Sequence, residues 1–186
     1  MFLEISFVHW LVILSSLISL SGGISYVRGI NKGTAKPNLV TWFMWALAPL
    51  IGVGAAISAH ADLWGVVRIF LAGFIPVIVI IAVFRNPRSY WKLTTFDFLC
   101  GICSLIALII WLGIDKPVIA VLFAAIGDAF AGLPTIIKAW RHPETESGLT
   151  YVASLVSVCL VLPSIQIYLL FVNIILIFSV YRKKFI

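Results

Sequence analysis

One carboxylate, Asp128, stands inside a long apolar run of this chain. It lies eleven residues beyond Pro117, where that run begins. On a helix this is about 16 Å at 1.5 Å per residue, close to the middle of a bilayer core. An ionisable side chain at such depth is costly and marks an ion or solute pathway by default. A carboxyl there is a candidate proton carrier. The alternative is a structural carboxyl, protonated or paired.

Arg68 is the one basic residue well inside an apolar run, five residues past its start at Leu63. Its long stem can snorkel to the nearby surface and pair with Asp62 or Asp115, or it can reach toward Asp128, about 8 Å deeper. Gln166 and Asn173 are seven apart, hence on one helical face. Their amides can hydrogen-bond a polar solute or bridge neighbouring helices. Trp42, Trp45 and Pro49 share another face; Trp42 suits an interfacial anchor, whereas Trp45 lies deeper and can stack on a ligand. Pro49, Pro76 and Pro134 interrupt apolar runs and can serve as hinges, although kinks are common in membrane helices. Cys100-Gly101-Ile102-Cys103 has the spacing of a thiol redox pair. Only Cys159 remains to relay electrons, and a cysteine in an apolar helix is usually a small hydrophobe. No metal, cofactor or catalytic residue is expected.

These residues must be positioned by membrane helices. The 186-residue chain is 62% hydrophobic and 11% charged, with a mean hydropathy of +1.15. Such apolar content makes the bilayer its solvent. Its apolar stretches are continuous rather than alternating, which specifies helices rather than a barrel. Seven runs are expected as spans: 7–26, 39–58, 63–84, 96–114, 117–138, 149–163 and 165–181. The boundary between the last two rests on Pro163 and Ser164 alone. The first run is expected as a retained span rather than a signal peptide, since Glu4 is the only charge before it.

The net charge of +6 raises nucleic acid as a partner, but its distribution argues against one. If the N-terminus is outside, all Lys and Arg residues except Lys116 and Arg68 fall at the inner ends of the spans or in the inner loops and tail. This is the positive-inside pattern. The basic residues are therefore orientation signals, and the N-terminus is expected outside with Arg182, Lys183 and Lys184 in the cytoplasm. A bacterial cell (inner) membrane is the expected location.

The chain also repeats itself. Shifted by 109 residues without a gap, Gly132 to Tyr151 lies on Gly23 to Trp42, aligning Gly132 with Gly23, Arg141 with Lys32 and Thr150 with Thr41. One side of the fifth run is small, with Ala124, Ala125, Asp128, Ala131, Gly132 and Thr135. The residues 109 earlier include Ser15, Ser16, Ser19, Gly22 and Gly23, again small or polar. Both stripes are expected to face a common interior; close helix packing is the simpler alternative. The offset predicts a repeat over 1–92, a linker helix over 93–116 and a second repeat over 117–186. An odd linker leaves the two repeats parallel, a known transporter design with its site between the halves.

Three spans, a linker and three spans resemble the SWEET sugar transporters and the wider PQ-loop superfamily. Leu133-Pro134-Thr135-Ile136-Ile137-Lys138, followed by Ser147 and Tyr151, resembles the motif of those families, and Asn173 resembles their substrate-facing asparagine. The family's Pro-Gln pair is Pro134-Thr135 here and Ser25-Tyr26 in the first half, and Pro76 stands opposite Asn173. The resemblance implies an all-α, seven-helix carrier of a small polar solute that works by alternating access. Asp128, Asn173, Trp45, Ser19, Thr135 and Gln166 are the expected solute contacts, with Asp128 also coupling protons. Expected partners are the bilayer and the solute, with a homo-oligomer left open. Two other classes stand beside the carrier: a membrane scaffold or receptor component that moves nothing, and a C-x-x-C thiol oxidoreductase. A retinal protein is excluded, because the seventh run contains no lysine for a Schiff base.

Overall fold

The structure, a computed structural model, describes residues 7–114, 117–160 and 167–182. Among these residues there is no strand; the elements are seven α-helices and two single 3-10 turns. The helices are α1 (Phe7–Lys32), α2 (Leu39–Ser58), α3 (Leu63–Arg85), α4 (Thr95–Leu112), α5 (Pro117–Arg141), α6 (Gly148–Leu160) and α7 (Ile167–Tyr181). Five apolar stretches are long enough to cross a membrane: α1 to α4 in full and Leu122–Arg141 of α5. The apolar helix α6 and the segment Val172–Tyr181 are shorter. The chain is thus an all-helical, membrane-embedded protein. Phe84, Ile109, Leu122 and Phe178 are among the large apolar side chains exposed on the helix surfaces, as lipid-facing residues are.

Each expected run holds a helix, but several helices outlast their apolar stretch. α1 continues past Tyr26 to Lys32 and α5 past Lys138 to Arg141. Basic residues are favoured in a last helical turn, where they meet the negative end of the helix dipole. α1 stops where Gly33 takes a left-handed backbone (φ +75°) and the amides of Thr34 and Ala35 fold back onto the Gly29 carbonyl at 3.0 and 3.1 Å. A glycine adopts that geometry without the steric penalty of a side chain. The helix starts are capped as well. Asn38 accepts from Val40 and Thr41, Asp62 from Trp64 and Gly65, and Thr94 with Asp97 forms a capping box on α4. Pro49, Pro76 and Pro134 all lie inside continuous helices. The boundary at Pro163 and Ser164 lies outside the described residues.

α3 packs against both α1 and α2, and α7 against both α5 and α6. Between these groups α1 packs on α6 and α2 on α5, while α4 covers α5 and touches α2. One core cluster, including Tyr26, Trp42, Ala46 and Val79, joins the first three helices. A second, of Ala139, Tyr151, Val172 and Leu176, joins α5, α6 and α7. Trp45 packs against both. The loops 33–38, 86–94 and 142–147 meet at one end of the bundle, together with most of the basic residues; we call it the basic end.

Candidate functional site

At the basic end a carboxylate is buried where a loop folds back between helices. Glu146 follows the 3-10 turn Pro143–Thr145 and precedes α6. Its Oε1 pairs with Lys138 Nζ of α5 at 2.5 Å, and both side chains are almost wholly buried. Its Oε2 accepts from the Tyr26 hydroxyl of α1 at 2.6 Å and the Tyr151 hydroxyl of α6 at 2.7 Å. Lys138 also donates to the Lys36 carbonyl and lies 5.0 Å from the centre of the Trp91 ring. The Lys36 amide in turn donates to the Thr145 carbonyl at 2.9 Å. Tyr26 packs on Trp42, ring centres 4.7 Å apart.

A buried ion pair is tolerated when further hydrogen bonds support it; here Glu146 Oε2 accepts from two tyrosines and Lys138 donates to a backbone carbonyl. The network ties α1 and the 33–38 loop to α5, α6 and the 142–147 loop. Beside it, Asn38 Nδ2 donates to Asp97 Oδ1 at 2.9 Å, which fixes the start of α2 to the start of α4.

Deeper in the bundle, α2 and α5 meet through Trp45. A Cβ added to Gly132 would sit 3.6 Å from Cζ2 of the Trp45 ring and 4.0 Å from Val172. The indole therefore lies over the α5 backbone, in a gap that the missing side chain opens. Asp128 is one turn from Gly132 on α5, partly buried, and Thr135 is nearly one turn the other way, fully buried. Asn173, adjacent to Val172 on α7, is also buried. Thr41 Oγ1, Trp42 Nε1, Trp45 Nε1 and Thr135 Oγ1 are buried without a hydrogen bond to the described protein. Such groups are costly to leave unsatisfied. Of these, Trp45 lies on α2 and Thr135 on α5, two helices that pack against each other.

The small stripe of α1 faces α6. Ser19 donates to Ser157 at 2.7 Å, and Ser157 to the Ser15 carbonyl at 2.8 Å. Thr150 donates to the Gly22 carbonyl at 2.9 Å, and a Cβ on Gly22 would come within 2.8 Å of the Ala153 methyl. Ser19 is thus held in a helix seam, apart from the contacts that Trp45 makes on α5. Gln166 lies outside the described residues. Pro134 and Pro76 are buried, and Pro49 is partly so. Arg68 borders a recess of about 300 Å³ with Asp62, Trp64 and His9, far from the basic end. Cys100, Cys103 and Cys159 are free thiols, the first buried and the others exposed. Among the described residues no three His, Cys, Asp or Glu side chains gather as a metal site requires.

No family model, curated protein or solved structure matches this chain.

The sequence reading missed the centre of the site's geometry. Glu146 is one of two acids in a loop, and its neighbour Glu144 is exposed and faces His142 at 3.4 Å. In the sequence Lys138 reads as an orientation signal and the end of the Leu133–Lys138 motif, and Tyr26 as the end of a span and half of the Pro-Gln counterpart; neither reading links them to Glu146. The available signal was Tyr151, five residues after Glu146: a phenol buried at a helix start needs an acceptor.

Proposed function

We propose that this protein is a SWEET/PQ-loop-type carrier of a small polar solute, working by alternating access between two parallel three-helix repeats. One observation carries the reading: with α4 set aside, the pattern of contacts among the other six helices is unchanged when α1, α2 and α3 exchange with α5, α6 and α7. α3 against α1 and α2 becomes α7 against α5 and α6, and α1 against α6 becomes α5 against α2. An axis along the membrane normal between two like halves would produce this pattern, and parallel-repeat transporters have it. The repeats are 1–92 and 117–186, and α4 lies in the linker, 93–116.

In this reading the basic end is cytoplasmic, by the positive-inside rule, and the N-terminus is outside, in a bacterial inner membrane. The solute lies between α2 and α5, against Trp45 and Thr135 with Asn173 nearby. The Glu146 network links the two repeats and acts as a closed cytoplasmic gate. Asp128, one turn from the Trp45 contact, carries the coupling proton. Pro49, Pro76 and Pro134 sit in helices that move against one another.

Purified protein in proteoliposomes tests this. Uptake of a solute panel should be saturable and driven by an imposed pH gradient. Asp128→Asn should lose gradient-driven uptake while retaining solute exchange. No uptake of any solute, from protein shown to be folded, would favour a scaffold instead.

A further inference from the structure

Arg68 is a guanidinium set into a membrane helix, on the wall of an open recess. The recess, about 300 Å³, lies between the first turns of α1 and α3 and is lined by Val8, His9, Val12, Asp62, Trp64 and Arg68, together with Gly65. The arginine is half-buried and its Nε is fully shielded without a hydrogen bond. Among the described residues, which do not include Asp115, no carboxylate forms an ion pair with it. Asp62 is nearest in sequence, but its Oδ2 accepts from the amides of Trp64 at 3.0 Å and Gly65 at 3.2 Å, capping α3. Trp64 in turn stacks on His9, ring centres 4.7 Å apart, and this pair with Val8 and Val12 makes the remaining wall apolar.

A cation removed from bulk water is normally paired. The planar guanidinium fork matches a carboxylate with two parallel hydrogen bonds. We propose that this recess binds the carboxylate of a small organic monoacid, Arg68 holding the charged end and the Trp64–His9 and valine wall taking the hydrocarbon end. One cation beside apolar walls fits a monoanion with a short tail. If the protein is the carrier proposed above, this is where its solute first docks, and the solute class is organic monocarboxylates. That step rests on the carrier reading; the binding site itself does not.

The test uses the full chain purified in detergent, with propionate as probe and propionamide as its uncharged match. Binding is read by thermal unfolding and by tryptophan fluorescence. Propionate should raise Tm in a saturable manner and change the fluorescence, whereas propionamide should do neither. Arg68→Gln should weaken binding by about tenfold or more, the scale of one charge-assisted hydrogen bond. Arg68→Lys, which keeps the charge and loses the fork, should fall between. Trp64→Phe should remove most of the fluorescence change and reduce the Tm shift, since it trims the wall that takes the hydrocarbon end. The proposal is overturned if propionamide acts as well as propionate, or if Arg68→Gln responds like the wild type. It also falls if propionate has no effect, or if inorganic phosphate or phosphatidylglycerol vesicles stabilise the protein equally well, which would reassign the recess to a lipid headgroup. Absence of transport in proteoliposomes would leave a positive binding result standing, so the two failures are distinguishable.

Discussion

Removing the charge of Glu146 should cost far more than its place in a loop suggests. Glu146→Gln keeps the side chain's size and one acceptor oxygen, but leaves the Lys138 ammonium buried without its counter-ion. It also replaces a carboxylate acceptor shared by Tyr26 and Tyr151 with a neutral amide. Breaking a buried pair from one side costs about 3–5 kcal/mol, whereas replacing both partners by neutral groups of similar volume is often nearly neutral. Lys138→Met alone should therefore cost about as much as Glu146→Gln. The double variant should cost well under the sum, with a coupling on the order of 2–3 kcal/mol. Equilibrium unfolding in mixed micelles, followed by far-ultraviolet circular dichroism, measures the cycle. Strict additivity would mean that the two charges do not sense each other, and the network would then be no gate.

Three further outcomes follow from the same geometry. Gly22→Val should separate α1 from α6, because even a Cβ meets the Ala153 methyl at 2.8 Å; a loss of about 1–3 kcal/mol in the same assay is expected, and a neutral result would contradict the seam. Single cysteines at Ala61 and Lys92, in a cysteine-free background, should label from opposite faces of intact cells; labelling from one face would remove the proposed topology. Asp128→Asn should bind and exchange solute in proteoliposomes but not accumulate it under a pH gradient, and unchanged accumulation would remove Asp128 as the proton carrier.

The helices were legible because long apolar runs have few other fates in a chain this hydrophobic. Their ends were less so. α1 continues to Lys32 because its polar last turns leave the apolar run and are then stopped by Gly33, a tertiary and local outcome that hydropathy does not register. The serine stripe was legible as a buried face: Ser15 and Ser16 are buried and Ser19 bonds Ser157. What that face packs against was not, since one sequence does not distinguish a cavity wall from a helix seam. The Trp45 contact with Gly132 follows from a glycine at one position of α5 opposite a ring on α2, a pairing visible only once both helices are placed. Glu146 was the least legible. Nothing in the loop 142–147 sets it apart from Glu144, and its burial depends on Lys138, Tyr26 and Tyr151 converging from three helices.

The central claim is that the two repeats move against each other, and a distance measurement at both ends tests it without knowledge of the solute. Spin labels replacing Lys32 and Glu144 would span the repeats at the basic end, and labels at Ala61 and Cys159 would span them at the other; all four positions are exposed. Double electron–electron resonance in nanodiscs should show two distance populations at each end, with opposite shifts as pH or solute changes. Glu146→Gln should favour the population that is longer at the basic end and shorter at the opposite one. A single distance at both ends, unchanged by pH, solute and Glu146→Gln, would contradict alternating access.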